Sequence, residues 1–278
     1  MEPLNKTLRN RLLPPKEITL SNGKKVYKQR SITPFILILV LIAVYYSVEL
    51  TGFKFSTLVK RGHEFFTILL AMLPPRWTFF NSVIGPLMDT IKMSILGTVI
   101  GALLAIPTAM LASINLTGNK ALSGVVKLIL SIVRTLPTLV SALILTYIFG
   151  LGTFAGTLAI ALFTFSFIGK QLYEQIETVD MAPYEAMESM GANRLFSFMS
   201  AILPQVLPSF LSVTLYTFEG NVRHAAILGY VGAGGLGIIL NENIAWRQYD
   251  RVGMILLTLF VAVAVIETLS RYLRKKLT

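Results

Sequence analysis

This chain of 278 residues has no cysteine. Disulfides, thiolate metal centres and cysteine nucleophiles are therefore excluded. Histidine is nearly absent as well: His63 and His224 are far apart and form no ligand motif. Charge is also scarce. Only 14% of residues are charged, against about 25% in soluble domains. No H-E-x-x-H motif occurs, and Glu219 is the only clear carboxylate deep in an apolar run, so a hydrolytic constellation is missing. A Walker A sequence is also missing, which leaves any ATP hydrolysis to another chain.

What fills the space is apolar. Hydrophobic residues make up 54% of the chain, and the mean hydropathy is +0.68. A soluble core of this size has no room for that much apolar surface, whereas a bilayer accepts it. Ser31–Leu50 carries a single charge, Glu49, near its end. Met93–Asn119 carries none. Thr135–Gly169 is an uncharged run of 35 residues, too long for one span. Gln205–Phe218 and Val252–Ile266 complete the apolar set.

The net charge is +11. In a soluble protein that would suggest nucleic acid. Here the basic residues sit in tails and at span ends, so membrane topology explains them and no nucleic-acid partner is expected. The tail carries Lys6, Arg9, Arg11, Lys16, Lys24, Lys25, Lys28 and Arg30, and the other end carries Arg271, Arg274, Lys275 and Lys276. By the positive-inside rule both termini are cytoplasmic. The tail is too long for the charged region of a cleaved signal, so the first span is retained. An even number of spans is then required.

The expected architecture is all-α: a polytopic integral membrane protein of about six transmembrane helices. Residues 1–32 form a basic cytoplasmic tail and residues 33–278 the transmembrane domain. The spans run over Thr33–Leu50, Leu87–Ala112, Val125–Phe149, Thr157–Tyr173, Pro204–Tyr230 and Val252–Tyr272. Pro107 falls inside the second span and Pro137 inside the third. An outer segment, Thr51–Leu87, holds an amphipathic stretch at His63–Leu73, stopped by Pro74-Pro75. In that segment Lys54, Lys60, Arg61 and Arg76 run against the charge rule. Gly150 to Gly156 divide the 35-residue run. A glycine-rich outer segment, Gly232–Gly237, leads to Asn241–Arg251. Neither half repeats the other.

The only long polar segment between spans is Glu174–Ser200. Asp180, Pro183 and the acidic Glu185 and Glu188 signal a helix start. Ala186, Met187 and Met190 give that helix an apolar face, and Gly191 interrupts it. Asn193-Arg194 then opens a second amphipathic helix with Leu195, Phe196, Phe198 and Met199. The result is a helix, a glycine bend and a helix at the cytoplasmic face, a shape suited to a groove on a soluble partner.

This segment resembles the EAA loop of ABC importer permeases. Glu185 and Ala186 match, Gly191 follows at the family's spacing, and Leu203-Pro204 close the motif. Met187 replaces the second alanine and Ala201 the usual isoleucine, both apolar exchanges. The stretches Met72–Phe80, Thr90–Asn115, Val133–Ile144 and Tyr216–Gly237 are similar to phosphonate-type importer permeases. Together with the loop they cover most of Met72–Tyr272. Methionine-importer permeases share the loop and the glycine-rich stretch but match less of the rest. The resemblance implies a type I importer transmembrane domain in the cell membrane, working as a homodimer. It implies two separate ATPase subunits, which hold ATP and Mg, and no cofactor in this chain. Glu185, Ala186, Gly191, Leu203 and Pro204 would couple to the ATPase. An extracytoplasmic binding protein would deliver a phosphonate or related phosphorus oxyanion.

Ionisable residues at membrane depth are costly and face a protein interior or an aqueous path. Arg134, Glu219, Arg223 and His224 are such residues. Glu219 and Arg223, spaced i, i+4, suit a packing salt bridge. Arg134, Arg223 and His224 equally suit a path for an anion, because a guanidinium fork donates two parallel hydrogen bonds to an oxyanion. Gly232, Gly234 and Gly237 fit G-x-G-x-x-G, but no strand precedes them, so close packing or a tight turn is expected instead of a dinucleotide site. Asn5-Lys6-Thr7 and Asn115-Leu116-Thr117 match glycosylation acceptors but fall on the cytoplasmic side. A permease for another small solute such as an amino acid, a secondary transporter, a membrane enzyme and a structural pore protein are the rival readings. A secondary transporter would show internal repeats and would not need the docking segment.

Overall fold

The computed structural model describes residues 16–19, 23, 25–28 and 32–277. The rest of the basic tail, including the Asn5 acceptor, and position 278 lie outside the described residues. The chain divides into two compact units, residues 1–66 and 67–278.

The first unit contains a β element that the all-α expectation omits. Strands β1 (Lys16–Thr19) and β2 (Lys25–Lys28) pair antiparallel, with Lys16 opposite Lys28 and Thr19 opposite Lys25. Helix α1 (Thr33–Leu50) has the expected bounds and starts with Pro34 in its first turn, where the missing N–H costs nothing. It is apolar on every side and none of its residues is buried, the pattern of a helix in contact with lipid or another chain. Helix α2 (Phe55–Ala71) starts before the expected His63 and crosses the boundary between the units.

The second unit is built on α3 (Phe80–Ala112). This helix starts seven residues before the expected Leu87, running through Pro86 and Pro107. Membrane helices tolerate such prolines because neighbouring groups take up the freed backbone. One face of α3 carries Gly97, Gly101, Ala105 and Ala109 at four-residue spacing. All are buried, and the face packs on α7 (Thr153–Ile176). A Cβ on Gly97 would lie 2.7 Å from the Ile160 side chain, and one on Gly101 only 2.6 Å from the Ala161 carbonyl oxygen. Between membrane helices there is no hydrophobic drive, so small residues that let backbones approach supply the attraction as dispersion. Asn221 clamps the same interface: its Nδ2 donates to Thr98 Oγ1 at 2.8 Å and Thr164 Oγ1 at 2.9 Å.

The expected third span is not one straight helix. After the single turn α4 (Ile114–Thr117), helices α5 (Lys120–Thr135) and α6 (Thr138–Phe149) meet at 89°. Pro137 is the cause. It forces Leu136 into extended backbone, φ −75 and ψ 120, and it has no N–H to continue the ladder. Among the described residues five helices are long and apolar enough to cross a membrane, or six if this bent pair is one span.

The remaining elements follow the expected order. Helices α8 (Ala182–Ser189) and α9 (Arg194–Ser197) form the polar segment. A π-turn, Phe198–Ile202, leads into α10 (Leu203–Leu228). A 3-10 turn (Gly229–Val231), α11 (Leu236–Ala245) and α12 (Tyr249–Leu277) complete the chain. Packing accounts for the glycine-rich stretch. Gly232, Gly234 and Gly235 have φ of +73, +87 and +72, a conformation that excludes a side chain at little cost only in glycine. The turn seats Leu236 N on Thr90 Oγ1 at 2.7 Å.

Candidate functional site: a docking knob and an intramembrane cavity

The polar segment is a knob held on a buried stem. Tyr184 is buried in a cluster with Leu172, Ile176, Phe198, Ile202 and Val206. Its hydroxyl donates to Glu188 Oε1 at 3.0 Å. Burial, and then that bond to a carboxylate, push the phenol's pKa above its ordinary value. Asp180 Oδ1 accepts from Ala182 N at 3.0 Å, and Gln205 donates to the Asp180 carbonyl at 3.1 Å. The stem is fixed on the other side by Glu177, which follows α7. Its Oε1 accepts from Lys127 Nζ at 2.7 Å and Ile114 N at 3.0 Å. Burial acts to raise this carboxyl's pKa, but the two hydrogen bonds and the Lys127 charge outweigh it and hold the group below its ordinary value.

The bend at Gly191 is a Schellman motif. Gly191 N–H donates to the Glu188 carbonyl at 2.9 Å, and Ala192 N–H to the Met187 carbonyl at 3.1 Å, with Gly191 at φ +88. This pairing of the two residues past the cap with the last carbonyls of the helix defines that motif and favours glycine. Asn193 then caps α9, its side chain accepting from Phe196 N at 2.8 Å. The fold therefore has the helix, glycine bend and second helix that the residues suggest. Glu185, Ala186 and Gly191 are exposed, as are Met190, Leu195, Phe196 and Met199. Leu203 and Pro204 sit at the first turn of α10.

The second feature is a cavity of about 400 Å³ beside α10. Phe163, Phe167, Tyr216, Thr217, Gly220, Asn221, Arg223 and His224 line it. The rings of Phe163 and Phe167 stack at 5.8 Å, and His224 lies 6.0 Å from Phe163. Arg223 is 54% exposed, and its Nη2 bonds Glu219 Oε1. Glu219 is only 5% exposed and lies behind the lining residues. Of the four path candidates, Arg223 and His224 reach the cavity and Glu219 backs it, whereas Arg134 is an exposed residue at the end of α5 outside the lining.

Two partners of this site are not evident from spacing. Arg274 reads as a topological charge at the inner end of the last span, yet its Nη2 lies 3.6 Å from Glu219 Oε2 and its guanidinium lies over Tyr216 at 5.8 Å. Asn221 reads as a neutral polar residue. Its burial at 1% exposure could only come from tertiary contacts, although an asparagine within an apolar helix is a signal of interhelical bonding.

Long apolar helices with a polar knob between two of them are the features of a multi-pass membrane component. Residues 105–278 match the family model described as "Binding-protein-dependent transport system inner membrane component". The chain is 35% identical over 220 residues to the phosphite transport system permease protein PtxC of Stutzerimonas stutzeri, spanning 79% of this chain and 80% of that protein. It is 35% identical over 211 residues to the phosphate-import permease protein PhnE of Mycolicibacterium smegmatis, spanning 76% of this chain and 40% of that protein. The fold is shared with the inward-facing MetNI methionine ABC transporter, at a TM-score of 0.64 and 21% identity over 73% of this chain and 99% of that one. The chain belongs to the family of binding-protein-dependent transport system inner membrane components. It is a multi-pass permease subunit of an ABC importer.

Proposed function

We propose that this permease imports phosphite, a phosphonate or a related phosphorus oxyanion, released to it by an extracytoplasmic binding protein. The observation that carries the reading is Arg223, exposed within a cavity among membrane helices. An exposed cation at that depth is costly unless water or an anion reaches it. The names of the relatives in Stutzerimonas and Mycolicibacterium support the same substrate class. Arg223, His224 and Arg134 are the path residues, with Glu219 as partner of Arg223.

Two copies of this chain form the membrane unit. Tyr216, Arg223 and Ile227 stand exposed along α10, and Tyr230 is exposed in the turn that follows it, a strip that suits a second helix. Two ATPase subunits, carrying ATP and Mg, dock on the knob through Glu185, Ala186, Gly191, Leu203 and Pro204. Both termini are cytoplasmic. Proteoliposomes holding the permease, its ATPase and its binding protein test the reading. ATP-dependent uptake of phosphite or methylphosphonate is the expected result, with one kind of permease chain in twofold copy. Uptake of methionine or carnitine with no oxyanion uptake would overturn it.

A further inference from the structure

Glu219 has two carboxylate oxygens with different surroundings. Oε1 accepts from Arg223 Nη2. Oε2 is buried without a hydrogen-bond partner, and Arg274 Nη2 stands 3.6 Å away. That distance is beyond a good hydrogen bond and within ion-pair range. The three side chains differ in access. Arg223 lines the cavity, whereas Glu219 and Arg274 do not. An ion in the cavity therefore meets the arginine and not its carboxylate.

We propose that Glu219 is the resident counter-anion of the path: it holds Arg223 until a transported oxyanion takes that guanidinium, and Arg274 then takes the released carboxylate. The inference rests on the path reading above. Its physical basis is desolvation. A buried carboxylate left alone is strongly unfavourable, so Arg223 can turn to a substrate only if Glu219 keeps a cation. Arg274 is the cation within reach. The two arginines and one carboxylate carry a net charge of +1, enough to attract an anion. The substrate exchanges for a carboxylate at Arg223 instead of filling a bare cation. Binding and release then stay near balance, as translocation requires.

The chain has no cysteine, so Gly220→Cys places a unique thiol in the permease. A side-chain atom there meets nothing within 4 Å, and the position lines the cavity. In the assembled complex, the rate of its modification by an anionic methanethiosulfonate is measured against phosphite, methylphosphonate or phosphate. Protection that vanishes in Arg223→Gln is expected. Glu219→Gln, which adds one net positive charge to the site, is expected to lower the half-protecting concentration about tenfold. It should also raise the ratio of anionic to cationic reagent rates. Arg274→Gln, which leaves Glu219 committed to Arg223, is expected to raise the half-protecting concentration, with partial recovery in Arg274→Lys. If none of the three ions protects, the path reading fails and the exchange falls with it. If protection needs Arg223 but is unchanged by Glu219→Gln and Arg274→Gln, the path stands and the exchange is wrong. Should Glu219→Gln fail to assemble, the Arg274 pair decides: a wild-type curve for Arg274→Gln overturns the proposal.

Discussion

The bend at Gly191 gives the sharpest test of the knob. No atom lies within 4 Å of where a Cβ would stand, and φ is +88. Substitution there changes conformational preference and nothing else in the packing. A left-handed alanine costs roughly 1–2 kcal/mol, a shift of about fivefold to thirtyfold in the population of the bend. Asparagine tolerates that region better. Proline is the severest change. Its ring fixes φ near −65°, and it deletes the N–H that donates to the Glu188 carbonyl at 2.9 Å, a bond worth about 1 kcal/mol. Tyr184, ahead of the bend, and Phe198 and Ile202, after it, share one buried cluster that anchors both arms of the knob independently of the Gly191 hydrogen bond. The assay is binding-protein-stimulated ATP hydrolysis by the reconstituted complex, with the melting temperature as the control for folding. Stimulation is expected to fall in the order Gly, Asn, Ala, Pro, and to vanish in Pro while the permease stays folded. Wild-type stimulation in Gly191→Pro would refute the claim that this bend shapes the coupling surface.

Three further outcomes follow from the structure, and a fourth from the basic termini. Glu185→Arg puts a cation on the exposed face of α8 and is expected to weaken ATPase co-purification without changing the melting temperature of the isolated permease. Gly101→Ala drives a methyl to 2.6 Å from the Ala161 carbonyl oxygen. It should destabilise the α3–α7 pair by about 1–3 kcal/mol, whereas Gly124→Ala on α5, with open space around it, should not destabilise in a thermal melt. Glu177 is held below its ordinary pKa of 4.5, so its contribution is complete above pH 4.5 and disappears as pH falls through the lower folded value. The melting-temperature gap between wild type and Glu177→Gln should therefore be constant near neutrality and close in acid. Single cysteines at positions 20 and 278 should resist impermeant reagents in intact cells; labelling of either from outside would reverse the topology.

Hydrophobic run length located the spans well, because the bilayer imposes one length on every crossing. The bounds of α1 and the start of α10 differ little from those read off the residues. The knob was legible for a different reason. Helix starts, a glycine stop and an asparagine cap are local, and local hydrogen bonding decides them. Helix α3 starts seven residues before Leu87 and runs through Pro86, an extension that depends on neighbours the local sequence does not show. The 89° break at Leu136-Pro137 was misread in the opposite sense. Pro107 and Pro137 look alike in sequence, yet α3 continues through the first and the chain turns at the second.

The cavity was legible only in part, and the reason bears on how it works. Glu219 and Arg223 are four residues apart on one helix, so their pairing follows from helical geometry alone. Arg274 lies 55 positions from Glu219 in the chain, and only the packing of α12 on α10 brings it to 3.6 Å. Thr98 and Thr164 likewise meet at Asn221 from two other helices. What spacing shows is the pair that would close an empty path. What tertiary packing adds is a second cation beside the same carboxylate. A helix-local salt bridge by itself would be a static packing device. With a second arginine beside its buried carboxylate, the same bridge has an alternative partner, which is what the exchange proposed above requires if a fixed charge is to serve a moving ion.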